Sequence, residues 1–292
     1  MVIASRQSKL ALIQAEQVRL ALSALHPEIS FEIKTYKTTG DMILNVTLDK
    51  IGGKGLFVKE LESALLRGDA DLLVHSFKDM PMETMGEIPV VGVTKRQDER
   101  DVLVLPKGQK DWDKTKPVGT SSKRRSLQLK RLYPEIETLP VRGNVITRLQ
   151  KLDSGEFGAL VLAAAGLKRL GLENRISRYF SVEEILPSAC QGALALQARR
   201  DFDKSLLEGL HDEDTFYISM AERAFVSSLD GGCSSPVAAH AVIENSLIKL
   251  RGLYVSPDET KLFYDHIEGE KEKAAELGES LAQRMKEGGC VV

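Results

Sequence analysis

Leu72-Leu73-Val74-His75-Ser76-Phe77-Lys78-Asp79-Met80-Pro81 is an apolar run that breaks, with no linker, into a charged turn. A short apolar stretch bounded by polar residues predicts a buried strand, and the lysine, aspartate and proline after it place charged chemistry at the strand's end. The same change of character recurs downstream. Val118-Gly119 enters Thr120-Ser121-Ser122-Lys123-Arg124-Arg125, the extended stretch 136–141 enters Arg142-Gly143-Asn144, and the apolar stretch 159–163 enters a short helical segment near Leu167. Repeated strand, turn and helix argue for parallel sheets with helices on both faces. Ligands of such open sheets bind where the strands end.

The flanking segments extend the pattern. Leu10, Ala11, Ala15, Val18, Leu22 and Leu25 have helical spacing, and Pro27 stops the helix. Residues 31–37 alternate as a half-buried strand, and 57–67 form a helix with Val58, Leu61 and Leu65 on one face and Gly68 after its end. Ser121 or Ser122 caps a helix running to about 132, and 145–152 is helical. Arg96-Gln97-Asp98-Glu99-Arg100-Asp101 is a polar connector between apolar segments, so two sheets are expected. The last third changes order: a helix over 214–229, strands over 237–243, 247–255 and 261–267, then a helix over 271–286, the sequence of a small α+β domain.

The chain has 292 residues, 42% hydrophobic and 28% charged, enough for two or three domains of ordinary globular composition. Its net charge of −2 makes the arginine clusters local, which disfavours a general nucleic-acid surface and suits a small polyanion in a cleft. No apolar stretch approaches the ~18 residues of a membrane span, and the opening residues lack a signal-peptide pattern. Three widely spaced cysteines, Cys190, Cys233 and Cys290, argue for a reducing cytoplasm over a disulfide framework.

Each motif has a chemical and a bland reading. Arg124 and Arg125 in the first turn of a helix, beside Thr120 and Ser122, combine guanidinium forks with free N–H groups as a carboxylate or phosphate receptor; alone they would be solvated arginines on a capped helix. Arg142 and Arg148 repeat the arrangement at the next junction, which favours the receptor. Lys54 and Lys59 sit in the glycine-rich stretch 52–59, which lacks the GxxxxGK[ST] pattern; they reach an anion or are simply solvated. Asp79, next to Lys78, is expected to stay ionised and to stabilise a developing cation, or else to be a salt-bridged turn residue. His75 is an acid–base group or a structural histidine. Cys233 follows Gly231-Gly232, whose freedom allows close approach; it is a nucleophilic thiol on a loop or a small buried hydrophobe.

Taken in order, Ser5-Arg6-Gln7-Ser8-Lys9-Leu10-Ala11, residues 52–61, 75–81, 119–125, 142–148, 162–171 and Gly231-Gly232-Cys233 resemble the porphobilinogen deaminases, or hydroxymethylbilane synthases, over nearly the whole chain. The resemblance implies two periplasmic-binding-protein-like, doubly wound α/β domains, 1–95 with 190–210 and 98–187, and a smaller C-terminal α+β domain, 213–292. It implies a monomeric cytoplasmic transferase of tetrapyrrole biosynthesis, with no nucleic-acid, membrane or metal partner. Four porphobilinogen molecules would be joined head to tail with loss of ammonia, on a dipyrromethane cofactor linked by a thioether to Cys233. Asp79 would be catalytic, facing the pyrrole N–H groups. Ser76, Lys78, Asp79, Thr120, Ser122, Arg124, Arg125, Arg142 and Gly143 would hold the cofactor. Arg6, Ser8, Arg148 and Arg169 would face substrate, and Lys54 and Lys59 would belong to a closing loop.

Departures from the family pattern fall away from these charges. Ala4 and Cys190 stand where glycine is more usual, and Ser234-Ser235-Pro236 where Gln-Val-Pro is common. The competing expectation is a non-catalytic two-lobed anion-binding protein, which would use the arginines but have no need of Asp79 or Cys233.

Overall fold

The computed structural model describes residues 1–42, 58–229, 236–256 and 258–288. Two compact units divide the chain: Met1–Gln97 with Gly192–Phe216, and Asp98–Gln191 with Tyr217–Val292.

The first unit is built on a five-stranded sheet of β1 (Val2–Arg6), β2 (Glu32–Tyr36), β3 (Leu72–Ser76), β4 (Val90–Val93) and β10 (Leu194–Gln197), in the order β2-β1-β3-β10-β4. Alternation along its strands feeds two cores. Ile3, Leu72, Val74, Leu194 and Leu196 pack with Ala15, Val18 and Leu22 of helix α1 (Lys9–Leu25). Their neighbours Ala4 and Leu73 pack with Leu61, Ala64 and Leu65 of α2 (Lys59–Leu66). Helices therefore cover both faces, as the repeated pattern predicts.

The second unit repeats the plan. Its sheet contains β5 (Asp101–Val104), β6 (Val118–Gly119), β7 (Thr138–Leu139), β8 (Ala159–Ala163) and β9 (Arg178–Tyr179), in the order β7-β6-β8-β5-β9. Leu129 of α3 (Lys123–Leu132) joins Val118, Ala159 and Val161 on one face. On the other, Leu149 and Leu152 of α4 (Val145–Asp153) and Leu167 of α5 (Ala164–Arg169) join Leu160 and Leu162.

Pairing is parallel among β1, β2 and β3 and among β6, β7 and β8. The wholly parallel sheets expected from the alternation are corrected at one position in each: β10 runs antiparallel to β3 and β4, and β5 antiparallel to β8 and β9. The reason lies in the connections. β5 is entered just after the chain first passes between units, and β10 just after it returns, so neither arrives through a strand–helix–strand crossover that would force parallel pairing.

The C-terminal part of the second unit is an antiparallel sheet of β11 (Ala238–Glu244), β12 (Leu247–Val255) and β13 (Leu262–Glu270), with α6 (Glu213–Ser228) and α7 (Ala274–Lys286). Packing is close enough to demand glycine. A Cβ on Gly252 would lie 2.3 Å from Phe225 of α6, and one on Gly278 of α7 would lie 2.4 Å from the Ala221 carbonyl oxygen.

Candidate active site

In the first unit, candidate residues gather at the ends of β1 and β3. Ser8 caps α1 by accepting from the Ala11 N–H, directly after Arg6 ends β1. Ser76 ends β3 and exchanges two hydrogen bonds with the buried Gln14 of α1, donating to Oε1 at 3.1 Å and accepting from Nε2 at 2.8 Å. The strand then tightens into a 3-10 turn over Phe77–Asp79. Phe77 is buried and anchors the turn, Lys78 is half-buried, and Asp79 is exposed. An anchored turn with an exposed carboxylate suits Asp79 to meet a ligand.

His75 is buried, and burial pushes its imidazole down to about 4; the nearby Gln197 amide works against this and the Arg6 charge with it. It is therefore neutral at neutral pH, which favours the structural reading over acid–base work. Lys59 is exposed at the start of α2. Lys54, Cys233 and Cys290 lie outside the described residues.

In the second unit the arginines sit at two helix starts. Ser122 caps α3, accepting from the Arg125 N–H, while Thr120 Oγ1 accepts from the Ser122 N–H at 3.2 Å. Arg124 and Arg125 are only 3% and 7% exposed, so the picture of two solvated arginines is overturned. Both turn inward to Asp101, itself 0% exposed. Asp101 Oδ2 pairs with Arg124 Nη1 at 2.8 Å, and Oδ1 accepts from Arg125 Nη2 at 2.7 Å and Nε at 3.1 Å. Arg124 Nη1 also donates to the Leu186 carbonyl at 2.6 Å, and Arg125 Nη1 to that of Val161 at 3.1 Å.

Burial alone would raise the Asp101 carboxyl, but the adjoining Arg124 and Arg125 charges hold it well below the usual carboxylate range. Burial lowers Arg124, with Asp101 opposing and Arg125 assisting. Two guanidinium groups thus face one carboxylate, and the cluster carries surplus positive charge at the N-terminal end of a helix. Such a place accepts anions.

At the next junction Asn144 caps α4 through the Thr147 N–H at 3.0 Å, and Arg148 Nε donates to the Gly143 carbonyl at 2.8 Å. Gly143 has φ +110°, and a Cβ there would lie 2.8 Å from Thr147 Cγ2. Only glycine fits this turn. Arg142 and Arg148 are half-buried. Arg169, at the end of α5, is half-buried too, and burial brings its guanidinium down to about 10.

Sequence reasoning missed three polar residues that hold this scaffold: Gln14, Asp101 and Gln191. Asp101 carried a signal, since it is the last charge before the apolar run Val102-Leu103-Val104, where a carboxylate entering a buried strand needs a cation.

Residues 1–207 match the family described as "Porphobilinogen deaminase, dipyromethane cofactor binding domain", and residues 216–287 match "Porphobilinogen deaminase, C-terminal domain". The chain belongs to the porphobilinogen deaminase family. A porphobilinogen deaminase of Acetivibrio thermocellus is 53% identical over 286 residues, covering 98% of this chain and 98% of that one. The protein of that name from Alkaliphilus oremlandii is 54% identical over 97% of this chain and 96% of its own, and that from Chromobacterium violaceum 45% over 99% and 95%. Among solved structures, the periplasmic aliphatic sulphonate binding protein SsuA of Escherichia coli is 13% identical over 79% of this chain and 70% of that one, with a TM-score of 0.41. The likeness to SsuA is too slight to bear on function. Membership of the deaminase family does not favour the non-catalytic reading. No helix among the described residues is long and apolar enough to cross a membrane.

Proposed function

We propose that this chain joins four porphobilinogen molecules head to tail on a dipyrromethane held through a thioether to Cys233, with loss of ammonia at each step, and that one water then cleaves the tetrapyrrole from the dipyrromethane to give hydroxymethylbilane. The observation that carries the reading is the surplus cation at the start of α3, where Arg124 and Arg125 meet the single carboxylate of Asp101. Each pyrrole brings an acetate and a propionate, so a growing chain is increasingly anionic, and such a donor set fits it. Charge-assisted hydrogen bonds of this kind contribute about 1.5–3 kcal/mol each.

When bound, dipyrromethane supplies the pyrrole end from which the product grows. The residues of this chain divide the remaining work. Asp79 accepts from pyrrole N–H groups and stabilises the positive charge that develops as ammonia leaves porphobilinogen. Ser76, Lys78, Thr120, Ser122, Arg124, Arg125, Arg142 and Gly143 hold cofactor carboxylates, directly or by shaping the turns that do. Arg6, Ser8, Arg148 and Arg169 receive substrate carboxylates, and Lys54 and Lys59 serve a loop over them. We assign three domains, 1–95 with 190–210, 98–187 and 213–292, working as a cytoplasmic monomer without a nucleic-acid partner.

Intact mass tests the reading. Wild-type protein should exceed its sequence mass by two linked pyrroles, and Cys233→Ala should not. If wild type carries no such mass and gains none on incubation with porphobilinogen, the reading is wrong.

A further inference from the structure

Resting on that reading, we propose that Asp101 positions the Arg124–Arg125 pair for ligand carboxylates, and that Gln191 holds Asp101 in place. Arginine stems are flexible, and a guanidinium recognises a carboxylate in two-point fashion only when its plane is fixed. Here Arg125 is held at all three nitrogens, Nε and Nη2 by Asp101 and Nη1 by the Val161 carbonyl, while Arg124 is held at Nη1, between Asp101 and the Leu186 carbonyl.

Asp101 is itself restrained. Gln191 Nε2 donates to Asp101 Oδ1 at 2.9 Å and to the Glu99 carbonyl at 2.6 Å, so its amide is pinned to main chain on one side and to the carboxylate on the other. The neighbouring carboxylates do not substitute: Arg100 and Lys168 occupy Asp98 at 2.8 Å each, and Glu99 Oε1 faces His240 Nε2 at 3.0 Å. One carboxylate against two guanidiniums orients the pair without cancelling it. A second carboxylate there would neutralise the site, and none would leave two like charges to repel.

The roles are separable because they predict opposite signs. If Asp101 only tempered the local field, Asp101→Asn would strengthen binding of an anionic substrate by removing a negative charge. If it positions, Asp101→Asn weakens binding although the site becomes more positive. If it serves stability alone, the melting temperature falls while binding in the folded protein is unchanged.

The experiment compares wild type, Asp101→Asn, Asp101→Glu and Gln191→Met as purified. Melting temperature, the fraction carrying the added dipyrromethane mass, and KM and kcat for porphobilinogen are measured on each. Positioning predicts that Gln191→Met, uncharged and of similar volume, keeps its fold while KM rises about tenfold or its loaded fraction drops. It also predicts a larger loss in Asp101→Asn, part of which Asp101→Glu restores. Should Asp101→Asn fail to fold, Gln191→Met decides. KM and loading unchanged in a folded Gln191→Met, or KM lowered in Asp101→Asn, would overturn the proposal. A wild type inert to porphobilinogen would overturn the deaminase reading and this proposal with it, whereas an active wild type beside unaffected variants overturns the proposal alone.

Discussion

Asp79 is exposed while the turn that carries it is anchored by buried Phe77, so its side chain can be changed with little effect on folding. Asp79→Asn should leave the melting temperature and the cofactor mass in place while kcat falls by about 10²–10³, the usual loss when one group aimed at a developing charge is removed. Steady-state turnover of porphobilinogen checks this, and near-normal kcat would reject the assigned role. Asp79 and a cap at Ser121 or Ser122 were legible in the sequence because each is defined by residues within a few positions of it. Asp101 was not. It lies 24 residues from Arg125 and 90 from Gln191, and only the folded sheet brings them together. The inward turn of Arg124 and Arg125 was hidden for the same reason: nothing within the first helical turn shows the buried carboxylate beneath them.

The longer helices and β2 announce themselves through periodicity, but β4, β5 and β10 do not. Their four residues are too few for a period, and all four positions of β5 and β10 are buried, so nothing alternates. β10 also depends on a tight entry. Gly192 has φ +95°, and a Cβ there would sit 2.2 Å from the Gln97 carbonyl oxygen. Gly192→Ala should therefore cost more than about 2 kcal/mol, from backbone strain and a main-chain clash together, read as a shifted denaturation midpoint. Two residues earlier, Cys190 adopts φ 59° without being glycine. Buried Glu222 of α6 helps secure it: Oε2 accepts from the Cys190 N–H at 2.6 Å, and Oε1 from the Ala241 N–H of β11 at 2.7 Å. Glu222→Gln replaces one acceptor by a donor and should lower stability by about 1.5–3 kcal/mol. An unchanged midpoint would show that the second acceptor is dispensable.

One strand plan, used twice, carries different buried charges in the two units, and acid should separate them. In the first unit His75 is held neutral, its folded value about 4 against the ordinary 6.5. The unfolded chain then binds more protons than the folded one between those values. Stability from this group is complete above 6.5 and drains away as the pH falls towards 4. At about 1.4 kcal/mol per pH unit, two units of acidification remove about 2–3 kcal/mol. In the second unit the perturbed buried acids are Asp101 and Asp98, which both lie well below their ordinary range, against the effect of burial, because arginine and lysine partners favour the ionised form. Their contribution is present above the ordinary carboxylate value and is lost only at pH below it. Mild acid should thus loosen the first unit before the second. Hydrogen exchange at pH 4.5 against pH 7 should show β3 and β10 amides losing protection while β5 and β8 amides keep theirs. His75→Gln removes the titrating group, so it should flatten the pH dependence in β3 and β10 and leave the second unit unaltered. Equal loss of protection in both sheets, or loss in the second first, would assign acid sensitivity to groups other than His75.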